Sequence, residues 1–127
     1  MDKKTDANKR KTGNYYESKV VEYLKEKGLE IVEQNYYTDI GEIDIIVKEK
    51  DNPTLIFVEV KSKEKSTGLS AFEAVDRRKQ KTIIRLAKHY IMMKEIKNCF
   101  VRFDVAGVYT AHGKVVEIDY LKDAFQE

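Results

Sequence analysis

Cysteine is nearly absent. Cys99 stands alone, which excludes an internal disulfide framework and any multi-cysteine zinc or iron–sulfur centre. Histidine is almost as scarce: His89 and His112 are far apart, and neither belongs to an HExxH or comparable spacing, so a histidine-built zinc site has no basis. The glycines form no GxGxxG or Walker loop, which leaves nucleotide-driven chemistry without a phosphate cradle. Long apolar runs are missing as well, since none approaches the roughly 20 residues needed to cross a bilayer. The opening MDKKTDANKRK has no apolar stretch of signal-peptide type. The expectation is a soluble, cytoplasmic protein with no membrane partner.

What is present is charge on top of enough apolar material for one core. The chain has 127 residues, 42% hydrophobic and 36% charged, a size and mix that suit a single compact domain rather than several. With 24 Lys plus Arg against 22 Asp plus Glu, the net charge of +2 announces no partner. Its distribution is more telling. Residues 1–11 carry five positive and two negative charges without apolar periodicity, so residues 1–12 read as a flexible basic arm and 13–127 as the folded domain. Residues 77–88 hold Arg77, Arg78, Lys79, Lys81, Arg85 and Lys88 and no acid. A helix there carries a basic face able to follow a phosphate backbone, although a solvated helix surface has the same composition.

Periodicity places the elements. Tyr16, Val20, Val21 and Leu24, closed by Gly28, predict a helix over residues 14–27. Glu17 lies at i to Val20, Val21 and Leu24 at i+3, i+4 and i+7, so a carboxylate shares the apolar side of that helix and needs a partner. Residues 29–37 alternate, Glu42 to Val47 form a β-branched strand, and Leu55 to Ser62 form another across a polar turn. A brief helical turn over Phe72 to Val75 leads into a long helix from Arg77 to Met93. Strands follow at Val101–Val105 and Lys114–Ile118. This order predicts a small mixed sheet flanked by helices, with the basic helix as the crossover between the Leu55 and Val101 strands.

Ionisable groups inside apolar strands are the informative feature. Glu59 and Lys61 alternate onto the same face as Leu55 and Phe57, roughly 7 Å apart along the strand. Asp44 sits between Ile43 and Ile45 in the neighbouring strand. Burying unpaired carboxylates costs several kcal/mol, so a cluster of them calls for a cation, and oxygen ligands select Mg²⁺ or Mn²⁺ over zinc. Asp44 and Glu59 are thus candidate metal ligands. Lys61 can orient a water or stabilise a charged phosphoryl transition state.

The runs GEIDIIV (41–47) and FVEVKSK (57–63) resemble the PD-(D/E)xK nuclease core, in which a strand aspartate precedes an E-x-K strand. Gly13 and Glu17, Tyr23-Leu24, Glu73 to Asp76 with Lys79-Gln80, Arg102 to Val105 and Ala124-Phe125 extend the resemblance to the YraN-like family of predicted endonucleases, similar in its core to archaeal Holliday-junction resolvases. The resemblance implies a restriction endonuclease-like fold and a metal-dependent endonuclease acting on DNA, with branched or junction DNA in repair or recombination as a candidate substrate. Carried over residue by residue, it makes Glu17, Asp44, Glu59 and Lys61 catalytic, with Asp44, Glu59 and Glu17 holding Mg²⁺ or Mn²⁺. Arg77, Arg78, Lys79, Gln80, Lys81 and Arg85 are the expected nucleic-acid-binding set. A homodimer is expected by analogy with resolvases. Tyr16 stands where the family often has glycine, and Ile43 replaces the proline that names the superfamily; neither removes an active-site group. A catalytically silent nucleic-acid-binding module and an interaction subunit of a repair complex stay open as alternatives.

Overall fold

A computed structural model describes the backbone from Lys3 to Glu127 and the side chains from residue 14 onward. Helix α1 (Lys3–Glu26) precedes strands β1 (Glu30–Thr38), β2 (Gly41–Lys48) and β3 (Thr54–Glu64). Two short 3₁₀ turns and helix α2 (Arg77–Met93) lead to β4 (Phe100–Ala111) and β5 (Lys114–Phe125). The α/β class and the mixed sheet are as expected. α1 begins earlier than the predicted 14–27, and the side chains of the basic arm expected over 1–12 lie outside the described residues. No helix among the described residues is long and apolar enough to cross a membrane.

The strands lie in the order β1-β2-β3-β4-β5, antiparallel throughout except for β3 and β4. Those two run parallel over eleven rungs, from Thr54↔Phe100 to Glu64↔Thr110, with α2 as the crossover that parallel pairing requires. α1 ends where its sequence permits a left-handed residue. Gly28, at φ +84°, donates to the Lys25 carbonyl while Leu29 donates to that of Leu24, the paired bonds that close a helix on glycine. α2 starts on Asp76, whose side chain accepts from the Lys79 amide at 2.9 Å, as a capping aspartate does.

Each helix covers one face of the sheet. Val20, Val21 and Leu24 of α1 pack on Ile45, Val47, Ile56, Val58, Ala106 and Val108. Ile83, Leu86, Ala87 and Tyr90 of α2 pack on Ile43, Ile46, Leu55, Phe57, Phe103 and Val105. A further anchor lies on the α1 side, where Asp104 is fully buried. It takes two bonds from Arg102 at 2.9 and 3.0 Å, one from the Tyr120 hydroxyl and one from the Asp123 amide. Arg102 also reaches Glu49 at 2.9 Å. Burial and the Asp104 charge push the Tyr120 phenol strongly upward, so it remains a donor.

Candidate metal centre

Ile43 and Ile46 enter the α2-side core, yet Ile45 lies in the α1-side core. Residues three apart cannot share a face of a regular strand. The alternation therefore slips at Asp44, and the partner strand slips with it: pairing passes from Gln34↔Ile45 to Tyr36↔Ile43, skipping Asn35, whose φ is +54°. Asparagine is among the few residues that enter that region readily. The slip sits where β2 leaves β3, because their ladder runs from Lys48↔Leu55 only to Ile45↔Val58. Beyond that last rung Asp44 Oδ2 accepts from the Val60 amide at 2.8 Å. A side chain makes the next rung, and its carboxylate lies in the gap between the two strands.

Carboxylates gather at this gap. Oxygens of Glu17, Glu42 and Asp44 lie within 4.8 Å of one another. With Ile43 turned to the α2 side, Glu42 falls on the α1 side, where α1 delivers Glu17. Asn35 acts to lower the raised Glu17 carboxyl, so the residue that makes the slip also eases the helix acid. Just ahead of Glu42, Gly41 brings the hairpin against α2: a Cβ there would meet Thr82 Cγ2 at 3.3 Å. Glu59 and Lys61 project on the other side with Leu55 and Phe57. Glu59 Oε1 is 3.3 Å from Lys61 Nζ and 3.7 Å from Lys79 Nζ. Glu59 Oε2 is buried and has no hydrogen-bond partner among the described residues.

The cluster is electrostatically loaded. Burial pushes Asp44 up to about 9, reinforced by the charges of Glu59 and Glu17 and opposed by the Val60 amide. Glu17 is raised by burial and by Glu42, and Glu59 by burial against the pull of Lys79 and Lys61. Carboxylates crowded this way retain protons unless a cation takes their place. The donors are all carboxylate oxygens, the set that hard divalent cations prefer. The unpartnered Glu59 Oε2 is a ready ligand atom, so the residues present fit a Mg²⁺ or Mn²⁺ ion.

Each expected site residue can now be located. Glu17 and Asp44 meet Glu42 in the β2–β3 gap, whereas Glu59 and Lys61 pair with each other on the α2 side of β3, Glu59 acting on Asp44 through its charge. The tightest carboxylate trio contains Glu42 instead of Glu59. The sequence pattern places Glu42 only as a strand residue, although its spacing of two from Asp44 is visible. Asn35 had no sequence signal beyond being an asparagine inside a strand. Arg77, Arg78, Lys81 and Arg85 are exposed on α2, and a groove of about 470 Å³ runs past Arg77, Lys81 and Arg85. Gln80 turns inward and donates to the Val75 carbonyl at 3.0 Å. Lys79 leaves the basic face for Glu59. A separate cavity of about 670 Å³, lined by Lys27, Glu49, Arg102 and Tyr120, lies at the far end of β2 and β3, and its floor is the saturated Asp104 network.

Residues 16–108 match the Uncharacterised protein family UPF0102. The chain belongs to the UPF0102 family. It is 40% identical over 119 residues to a UPF0102 protein of Caldicellulosiruptor saccharolyticus, covering 93% of this chain and 99% of the relative. A UPF0102 protein of Acetivibrio thermocellus is 43% identical over 123 residues, covering 93% of each chain. One from Dictyoglomus thermophilum is 38% identical over 120 residues, covering 93% and 99%. The family match over residues 16–108 spans the part of α1 that bears Glu17, the β2–β3 pair and α2 of this chain.

Proposed function

We propose that this UPF0102 protein is a Mg²⁺- or Mn²⁺-dependent nuclease of the restriction endonuclease-like type that hydrolyses phosphodiester bonds in DNA. The observation that carries the reading is Glu59 Oε2, a buried carboxylate oxygen without a hydrogen-bond partner among the described residues, on a side chain whose other oxygen faces Lys61 and whose charge acts on Asp44 of the Glu17, Glu42 and Asp44 trio. Such a group is costly to leave unsatisfied unless a ligand takes it. Asp44, Glu59 and Glu17 hold the cation, with Glu42 beside them. The bound cation supplies Lewis-acid polarisation of a phosphoryl oxygen and a more acidic water. Lys61, two residues from Glu59 on the same face, presents an ammonium to the charge that develops on the phosphoryl oxygens. The Val60 amide fixes the Asp44 carboxylate in the strand gap. The exposed cations of α2 hold flanking phosphates without reading bases.

The deciding experiment is cleavage of branched, duplex and single-stranded DNA in Mg²⁺, Mn²⁺ and EDTA by purified parent and Asp44→Asn protein. Cation-dependent cleavage by the parent and none by the variant is expected. DNA binding by the parent without cleavage in any cation makes the protein a silent binding module and overturns the nuclease reading.

A further inference from the structure

Arg77, Arg78 and Lys79 open α2, and its first turn contains no acid. This composition works against the helix, whose unpaired N–H groups already place positive charge at that end. The Asp76 cap offsets only part of it. A local rule broken without local gain marks a functional position. The three cations also differ in what they do. Arg77 and Arg78 are exposed. Lys79 is half-buried and approaches Glu59 Oε1, the oxygen that Lys61 already contacts. Two ammonium groups thus share one oxygen while Oε2 has none.

The two lysines are not equivalent. Lys61 belongs to the same strand as Glu59 and stays wherever β3 is. Lys79 arrives from another element on a four-carbon stem, with its side chain 35% exposed, and can leave without disturbing the sheet. It also exerts the larger charge effect on Glu59. A divalent cation placed on Oε2 repels both ammoniums, and Lys79, the more exposed of the two and the one borne by another element, has the easier way out. Arg77 and Arg78 precede it at the same helix end, where the Asp76 carboxylate is taken up by the Lys79 amide, so an anion brought by a substrate is a group it would meet.

Resting on the nuclease reading above, we propose that Lys79 is a positioning residue that neutralises Glu59 until a divalent cation arrives and then holds a phosphate of the nucleic-acid substrate. Cation loading and phosphate binding are thereby coupled through one side chain. Coupling of this kind is reciprocal, so it can be measured at equilibrium without turnover.

Calorimetric titration with Mn²⁺, and binding of a fluorescent DNA duplex in EDTA and in Ca²⁺, are compared for parent, Lys79→Gln and Lys79→Arg. Lys79→Gln is expected to bind Mn²⁺ about 3- to 10-fold tighter, having lost a competing charge. Its DNA affinity in EDTA stays within about threefold of the parent, because Lys79 is engaged with Glu59 there. The gain in DNA affinity caused by Ca²⁺ falls from about tenfold in the parent to less than about threefold, and Lys79→Arg restores it. Unchanged or weaker Mn²⁺ binding in Lys79→Gln overturns the proposal, as does an equal loss of DNA affinity in EDTA and Ca²⁺, which marks an ordinary phosphate contact. A parent that binds no Mn²⁺ removes the nuclease reading itself, whereas a parent that binds Mn²⁺ with Lys79→Gln identical to it removes this inference alone.

Discussion

Asp44→Asn should make the cation-free protein more stable while destroying its response to cations. Asp44 is buried and its carboxyl is raised from 3.8 to about 9. The folded chain therefore keeps a proton that the unfolded chain releases above about pH 4. Stability from this group is fully present below that pH and is lost as pH rises towards 9, by about 1.4 kcal/mol per pH unit for one retained proton. Glu17 and Glu59 are raised too, so the protons are shared and the loss is distributed over the cluster. Asparagine keeps an oxygen for the Val60 amide but has no charge to neutralise. The expected gain over the parent is about 2–4 kcal/mol at pH 8, a rise of roughly 8–16 °C in Tm for a domain of this size, and near zero at pH 4. Addition of Mn²⁺ at 100 times its Kd stabilises the parent by about 2.7 kcal/mol and leaves the variant nearly unmoved. Thermal melts from pH 4 to 9, with and without Mn²⁺, check both. A variant less stable than the parent at pH 8, or one that responds fully to Mn²⁺, refutes the placement of Asp44 at the centre of the charge cluster.

Glu42→Gln should weaken Mn²⁺ binding by about tenfold, since ligand charge sets affinity at oxygen sites; calorimetry reads it directly, and unaltered affinity removes Glu42 from the site. Neutralising Arg78, Lys81 and Arg85 together should make the slope of log DNA affinity against log salt shallower by about three, with Mn²⁺ binding unchanged; an unaltered slope makes this face a solvated surface. Asp104→Ala leaves Arg102 with Glu49 alone and takes the acceptor from the Tyr120 hydroxyl and the Asp123 amide, and should cost about 3–5 kcal/mol in chemical denaturation, whereas a loss below about 1 kcal/mol would show the network to be dispensable.

The sequence made the β2, β3 and α2 segments legible because their apolar periods are clean, and Asp44, Glu59 and Lys61 because each interrupts one. Glu17 was visible for the same reason on a helical period. Periodicity assumes an unbroken alternation, so it could not reveal a slip that two strands make together, and Asn35 and Glu42 went unread. Sequence groups Lys79 with its basic neighbours, because helix spacing does not show which side chain reaches a distant strand. The ends of β4 and β5 were also underestimated. Their extension to Ala111 and Phe125 depends on pairing with each other, and on a register shift between Phe103 and Val105 near Asp123, whose φ is +52°.

The rung made by Asp44 gives the protein an internal spectroscopic reporter. The Val60 N–H points at a carboxylate oxygen instead of a carbonyl, so its proton resonance follows the charge on that oxygen. Protonation, cation binding and the Asn substitution each alter the acceptor while the strand stays in place. One backbone cross-peak would thus read whether a cation occupies the proposed centre in solution, without added label, substrate or turnover.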